Sequence, residues 1–405
     1  MAKLTLDKLI SENQIKGKNV LVRVDFNVPL NENGNITDPK RIIESIPTIK
    51  TIISAGGKCI LMSHMGRPKG EKNPKYSLSV VAEFLSKYLD MRVLFSDDCI
   101  SDDNISVINE MNEGDVLLLE NLRFYKEEEK NDPEFAKKLA QYGDIFVNDA
   151  FGTAHRAHAS TEGVTHFINT CAAGYLIEKE LKYLSSAVNN PKRPLCAILG
   201  GSKISGKIDV LQNLLNIADK ILIGGGMMFT FYKALGYNIG KSILEEDRVD
   251  LAKDIYEQAK TMNKELLLPI DVVYANKFEN DAETKIFKYD KVSEEYNDWI
   301  GMDIGPETIK LFRKEIMESK TIVWNGPMGV FEMNNFAKGT FEVGKALADA
   351  TANGSITIVG GGDSASAIAA AELDDKVTHV STGGGASLEF LEGKKLPGIE
   401  SLNDE

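Results

Sequence analysis

Residues 195–208 read LCAILGGSKISGKI. The first six are apolar and end on glycine, the pattern of a short strand buried on both faces. The remainder comes within one residue of the phosphate-binding pattern G-x-x-x-x-G-K-[ST]. Gly201, Gly206 and Lys207 fit it, but Ile208 stands where a hydroxyl would ligate the Mg²⁺ of a nucleotide. The stretch predicts a strand and a glycine-lysine turn running into a helix. Lys203 and Lys207, four apart, would then share a face toward phosphates, with Ile208, Leu211 and Leu215 on the buried side.

The same strand-then-helix rhythm recurs along the chain. NVLVRVDF (19–26), KCILMS (58–63), RVLF (92–95), DVLLLE (115–120) and DIFVND (144–149) fill the first half. LCAILG, KILIGG (220–225), ELLLPIDVVYA (265–275), TIVWNG (321–326), SITIVGG (355–361) and THVST (378–382) fill the second. Apolar runs alternating with helical segments predict βαβ units and parallel sheets. At 405 residues the chain exceeds one hydrophobic core, so two domains are expected. AGYLIEKELKYLSSAV (173–188) reads as a bridging helix stopped by NNPKRP (189–194), and ENDAETK (279–285) as a surface loop. The resulting map is an N-terminal domain 1–172, the helix 173–188, a C-terminal domain 189–390 and a terminal segment 391–405.

A net charge of −13 argues against nucleic-acid and acidic-membrane surfaces, so any anion site must be a local cluster. No apolar run approaches the roughly 20 residues of a membrane span. MAKLTLDKLI lacks the apolar core of a secretory signal. Four widely spaced cysteines suit a reducing compartment, and a cytoplasmic protein is expected.

Open α/β sheets bind ligands at the carboxyl ends of their strands, and here those ends differ between the halves. In the first half they carry DFN (25–27), SHMGRP (63–68), ENLRF (120–124) and NDAFGTAHR (148–156). Arg67, Arg123 and Arg156 thus fall on one predicted edge, with Arg41 opening the next helix. Arginine suits bidentate capture of carboxylate or phosphate. His64, His155 and His158 lie there too, without the spacing of a zinc site. This edge reads as a pocket for a small polyanion, with His64 a donor.

The second-half edge carries GGSK (200–203), GGGM (224–227), WNGPMGVFE (324–332), GGGDS (360–364) and STGGG (381–385). GGGDS and STGGG each follow a strand and open a helix, where backbone N–H groups and the helix dipole favour phosphate. Gly360, Gly362 and Ala365 match G-x-G-x-x-[GA], but the acid a dinucleotide fold needs about 20 residues on is absent: Ser381, Thr382 and Gly383 stand there. Asp363 reads equally as a helix N-cap or as a Mg²⁺ ligand.

RVDFNVP (23–29), SHMGRP, LLLENLRF (117–124), VNDAFGTAHRAHAS (147–160), LGGSKISGKI, IGGGM (223–227), VWNGPMGVFE (323–332), GGGDS and STGGGASLEFLEGK (381–394) resemble the phosphoglycerate kinase family. They occur in family order from near residue 4 to near residue 399. The resemblance implies two Rossmann-like α/β domains, each a parallel sheet flanked by helices, joined by a helix. The terminal segment would pack back on the first domain. It implies reversible phosphoryl transfer between Mg·ATP and the carboxylate of 3-phosphoglycerate, giving ADP and 1,3-bisphosphoglycerate. The transfer would be direct and in line, by a hinge-bending monomer.

Carried over by position, Asp25, Phe26, Asn27, Arg41, His64, Met65, Gly66, Arg67, Arg123 and Arg156 would hold 3-phosphoglycerate. Arg41, Lys203 and Lys207 would act on the transferring group, the two lysines also on the nucleotide phosphates. Gly224, Gly225, Gly301, Asn325, Pro327 and Glu332 would line the nucleoside pocket. Gly361, Gly362, Asp363 and Ser364 would face the phosphates, with Asp363 on Mg²⁺. Met65, where leucine is commoner in the family, and Ser364, where threonine also occurs, are mild departures.

Overall fold

A computed structural model describes residues 2–405. The chain forms two compact units, residues 1–182 with 395–405, and residues 183–394. In the first, strands β1 (Asn19–Val24), β2 (Lys58–Met62), β3 (Val93–Ser96), β4 (Val116–Leu119), β5 (Ile145–Asp149) and β6 (Thr170–Ala173) form a parallel sheet in the order β3-β4-β2-β1-β5-β6. In the second, β7 (Leu195–Leu199), β8 (Lys220–Ile223), β9 (Glu265–Leu267), β10 (Asp271–Ala275), β11 (Thr284–Lys288), β12 (Ile300–Ile304), β13 (Thr321–Asn325), β14 (Ile356–Gly360) and β15 (His379–Val380) form two sheets. The larger is parallel, β15-β14-β13-β7-β8-β9, and the smaller antiparallel, β11-β10-β12.

The predicted α/β fold with two parallel sheets is what the chain adopts. Its central strands are buried on both faces, so they read as unbroken apolar runs. Helices cover them with one stripe each. Lys40–Ser54, for example, buries Ile42, Ile46, Ile49 and Ile52 at helical spacing against the first sheet. Two readings are corrected. The run 265–275 is two strands in two sheets, because Pro269 lies between β9 and β10 and interrupts pairing. Residues 284–288, partly read as loop, form the edge strand β11, whose polar composition hid it.

In each parallel sheet the chain runs outward from one strand in both directions. β1 leads to β2 on one side while β5 and β6 lie on the other; β7 leads to β8 and β9 while β13 to β15 lie opposite. The crevices between β1 and β5 and between β7 and β13 are therefore switch points, where ligands of open α/β sheets bind.

Residues 395–405 close the first unit. Leu4 N–H donates to the Asn403 carbonyl at 2.8 Å, and Gly398 N–H to the Ala154 carbonyl at 2.9 Å. The helix Tyr175–Asn189 begins against the end of β5, where Asp149 accepts from Leu176 N–H at 2.8 Å. Asp149 is fully buried with Oδ2 unpartnered, and this burial pushes its carboxyl up to about 7. A native carboxyl raised above its unfolded value contributes stability that is full below about pH 4 and is lost as pH rises through 7. Asp149→Asn, which cannot ionise, should therefore lose ground to the wild type at pH 5 and recover it by pH 8. Urea midpoints followed by circular dichroism at both pH values would show this; an unchanged difference would refute the assignment.

Candidate active site

The β1–β5 crevice of the first unit gathers the predicted polyanion residues around one loop framework. Asp25, just past β1, is buried; its Oδ2 takes Arg41 Nη1 at 2.7 Å and its Oδ1 takes Asn27 N–H at 3.2 Å. Asn27 Oδ1 accepts Gly66 N–H at 2.9 Å, tying the loop after β1 to the loop after β2. Arg123 Nη1 donates to the Gly66 carbonyl at 3.0 Å and its Nε lies 3.4 Å from Glu129. Gly66 has φ +62°, and a Cβ there would strike the Tyr76 ring, so glycine is needed. Phe26 and Met65 turn their side chains into the core and serve as framework: Phe26 N–H donates to Ser63 Oγ, and Asn121 Nδ2 donates to the Met65 carbonyl.

Arg67 and Arg156 are exposed, and both charges are felt at Arg123. His64 is buried. Desolvation first, then the charges of Arg23, Arg123 and Arg41, hold its imidazole well below the usual value. His158 is pushed down to about 3 by burial and then by Arg123 and Arg23. Both rings are neutral at pH 7, so the positive field comes from arginine alone. Arg23 and its buried partner Glu128 escaped the sequence reading. The available signal was an arginine inside the apolar run NVLVRV, where a charge needs a partner.

In the second unit the β7–β13 crevice opens into two spaces. A cavity of about 710 Å³ includes Gly225, Gly301, Pro327, Glu332 and Asp363 in its wall. Met228, Phe229, Phe278, Met302, Met328 and Met333 are among its other lining residues; they escaped the sequence reading because apolar lining looks like core. Gly225, at φ +64°, lies so close to the next loop that a Cβ would sit 2.5 Å from Gly201 N. Gly224 packs against Met328 and does not reach the cavity wall.

The smaller cleft, about 240 Å³, is bordered by Lys207, Asn325, Gly361, Gly362, Asp363 and Ser364, with Gly384 and Gly385. Asn325 therefore sits with the phosphate-type residues rather than in the nucleoside-type cavity where the family pattern placed it. Its Oδ1 accepts from Lys207 Nζ, while its buried Nδ2 has no partner. The helix Gly362–Ala370 starts after Gly361, at φ +88°, with no side-chain cap. Asp363 is exposed in its first turn, so it is not used as the N-cap. Ser364 is buried, its hydroxyl accepting Gly326 N–H at 2.5 Å.

The opening stretch folds differently from its reading. The helix begins at Ile208, so Lys203 lies in the preceding turn and shares no helix face with Lys207. Lys203 is exposed, borders neither space, and is felt electrostatically at Glu245. Ile208 is only half-buried, while Val210, Leu211, Leu214 and Leu215 form the packed face.

This fold and these sites define a two-unit α/β protein with one basic anion pocket and one nucleotide-type cleft. The phosphoglycerate kinase family model matches residues 10–394. Phosphoglycerate kinases of Chlorobaculum tepidum and Chloroherpeton thalassium are each 59% identical over 397 residues, 98% of this chain and 99% of theirs. Solved phosphoglycerate kinase structures from Coxiella burnetii and Pyrococcus horikoshii superpose with TM-scores of 0.89 and 0.81, at 41% and 32% identity, covering 98% of each chain. The chain belongs to the phosphoglycerate kinase family.

Burial, opposed by the charge of Asp363, lowers the Lys207 ammonium to about 8. The lysine is thus charged below pH 8 and neutral above it, unlike a surface lysine. NMR titration of specifically labelled lysine should give one midpoint near 8 that disappears in Lys207→Gln. A midpoint above 10 would contradict this placement.

Proposed function

We propose that the chain carries out the reaction of its family: reversible, Mg²⁺-dependent phosphoryl transfer between ATP and the carboxylate of 3-phosphoglycerate, in the cytoplasm and as a monomer. The observation that carries the reading is Asp363. It borders both the large apolar cavity and the small glycine-lysine cleft, as a nucleoside and its phosphates would require. The acceptor belongs in the arginine pocket, held by Asp25, Asn27, Arg41, His64, Arg67, Arg123 and Arg156 around the Gly66 loop. Glu332 serves the ribose and Lys207, Asn325, Gly361, Gly362 and the Ser364 backbone the phosphates.

No general base is needed. A carboxylate with an ordinary value near 4 is already ionised at pH 7. One of its oxygens attacks the terminal phosphorus of ATP as the bond to the bridging oxygen of ADP breaks. The obstacle is repulsion between anions, so the chemistry falls to positive charge and positioning. Arg41, steadied by Asp25, and Lys203 neutralise the transferring group. Reacting atoms must come within roughly 3–3.5 Å, which calls for hinge closure about the Tyr175–Asn189 helix.

The residues suit Mg²⁺. No group of three or more acidic, histidine or cysteine ligands occurs among the described residues. Mg²⁺ in such sites uses one or two carboxylates plus phosphate oxygens, and Asp363 is an exposed carboxylate beside the phosphate cleft. When bound, the ion would neutralise phosphate charge. The four cysteines are free and buried, in keeping with a reducing compartment. Both half-sites come from one chain, so no second copy is required.

Arg41→Ala and Lys203→Ala should each lose at least about a hundredfold in turnover, a lower bound set beneath the roughly 10³–10⁵ contributed by arginine fingers. ATP, Mg²⁺ and 3-phosphoglycerate, with product formation coupled to NADH oxidation, provide the assay; near-normal turnover in both would sink the roles assigned. Asp363→Asn should weaken the Mg²⁺ enhancement of ADP binding in calorimetry about tenfold or more, leaving metal-free ADP binding nearly unchanged.

A further inference from the structure

Beneath the acceptor pocket lies a buried polar network to which no role has been given. Arg23, on β1, is fully buried. Its Nε donates to Ser160 Oγ at 2.8 Å, its Nη1 to the Val24 carbonyl, and its Nη2 lies 3.1 Å from His64 Nδ1. Ser160 passes the contact on: its hydroxyl donates to Glu128 Oε1 at 2.5 Å and its N–H to Glu128 Oε2 at 3.0 Å. Glu128 is fully buried as well.

A guanidinium has five N–H donors and no acceptor. The ring nitrogen facing it must therefore offer a lone pair, so Nδ1 of His64 carries no proton. A neutral imidazole has a single N–H, which then sits on Nε2. A second proton could enter only at Nδ1, against the Arg23 N–H. Arg41 on the neighbouring helix, Arg123 after β4 and His158 after β5 also oppose a positive ring, while the carboxylates of Glu128 and Asp25 favour the charge on Arg23 and Arg123 opposes it. The ring is held neutral over the whole physiological range. It is also held in one tautomer.

We infer that Arg23 is a positioning residue that fixes His64 as a neutral Nε2–H donor toward the anionic acceptor. Arg23 is out of reach of substrate and acts through the ring. The other tautomer would aim a lone pair at a carboxylate or phosphate oxygen and repel it. The inference rests on the proposed seat of the acceptor beside His64.

The test is long-range ¹H–¹⁵N NMR of histidine-labelled protein, with His64 assigned through His64→Gln. The wild type should show an unprotonated Nδ1 and a protonated Nε2 from pH 8 down to pH 5. In Arg23→Met the tautomers should mix and the ring should begin to titrate. The KM for 3-phosphoglycerate should rise about tenfold, the size of one lost charge-assisted hydrogen bond, with kcat changed much less. Arg23→Lys, which keeps a donor, should restore the tautomer in part. Because Arg23→Met strands Glu128, the double variant Arg23→Met/Glu128→Gln, which removes both buried charges, carries the same expectation if the single variant does not fold.

A wild-type His64 found as the Nδ1–H tautomer, or as imidazolium at pH 7, would overturn the inference outright. So would a folded variant with the tautomer unchanged, whatever its KM, and that result would leave the proposed function standing. A shifted tautomer with an unchanged KM would overturn the donor role of His64 instead.

Discussion

The two sheet crevices are the constraint from which the rest follows. A parallel sheet whose chain runs outward both ways from β1, or from β7, leaves a gap at its carboxyl edge that no connection crosses. Most of the candidate functional groups lie in the loops bordering such a gap, while Arg41, in the helix Lys40–Ser54, and Gly301, in β12, reach it from other elements. In the first unit those loops are locked together through Asp25, Asn27 and Gly66. In the second they approach so closely that a Cβ on Gly225 would sit 2.5 Å from Gly201 N.

The chain carries a net charge of −13, yet its ligands are to be multiply charged anions. The two units meet this difficulty by different means. The first concentrates arginines, charged at any pH a protein meets, and keeps its histidines neutral by burying them first and by the charges of those arginines second. The second combines helix N-termini, glycine backbone and the half-buried Lys207, whose ammonium desolvation lowers to about 8 but leaves charged at neutral pH. In the proposed reading, fixed charge serves the small acceptor, and backbone dipoles with one lysine the longer phosphate chain.

The apparent flaw in LCAILGGSKISGKI accords with the metal role proposed for Asp363. The isoleucine in place of a hydroxyl would be a defect only if the loop had to hold the metal. Asp363, some way along the chain but beside the same crevice, is exposed and free of capping duty. Of the loop glycines, Gly200 answers to crowding against the Gly326 and Pro327 carbonyls and Gly201 to its φ of +106°, while Gly206 has open space around it.

The α/β class, the strand-helix alternation and the gathering of charged candidates at strand ends were legible from order alone. Apolar runs of strand length and motifs at strand ends are local patterns, and local patterns survive in one dimension. The split at Pro269, the polar edge strand β11 and the register of Lys203 against the helix start were not legible, because pairing partners and helix nucleation depend on distant segments. Nor was the assignment of Asn325 to the phosphate-type cleft, or the methionine-rich wall of the larger cavity. The partnership of Arg23, His64, Ser160 and Glu128 joins four segments up to 137 residues apart. Sequence could show that Arg23 is a charge among apolar neighbours; only the packing of β1 against the other loops decided which groups would satisfy it. Burial, which no single residue carries in its letter, then set the protonation of the site.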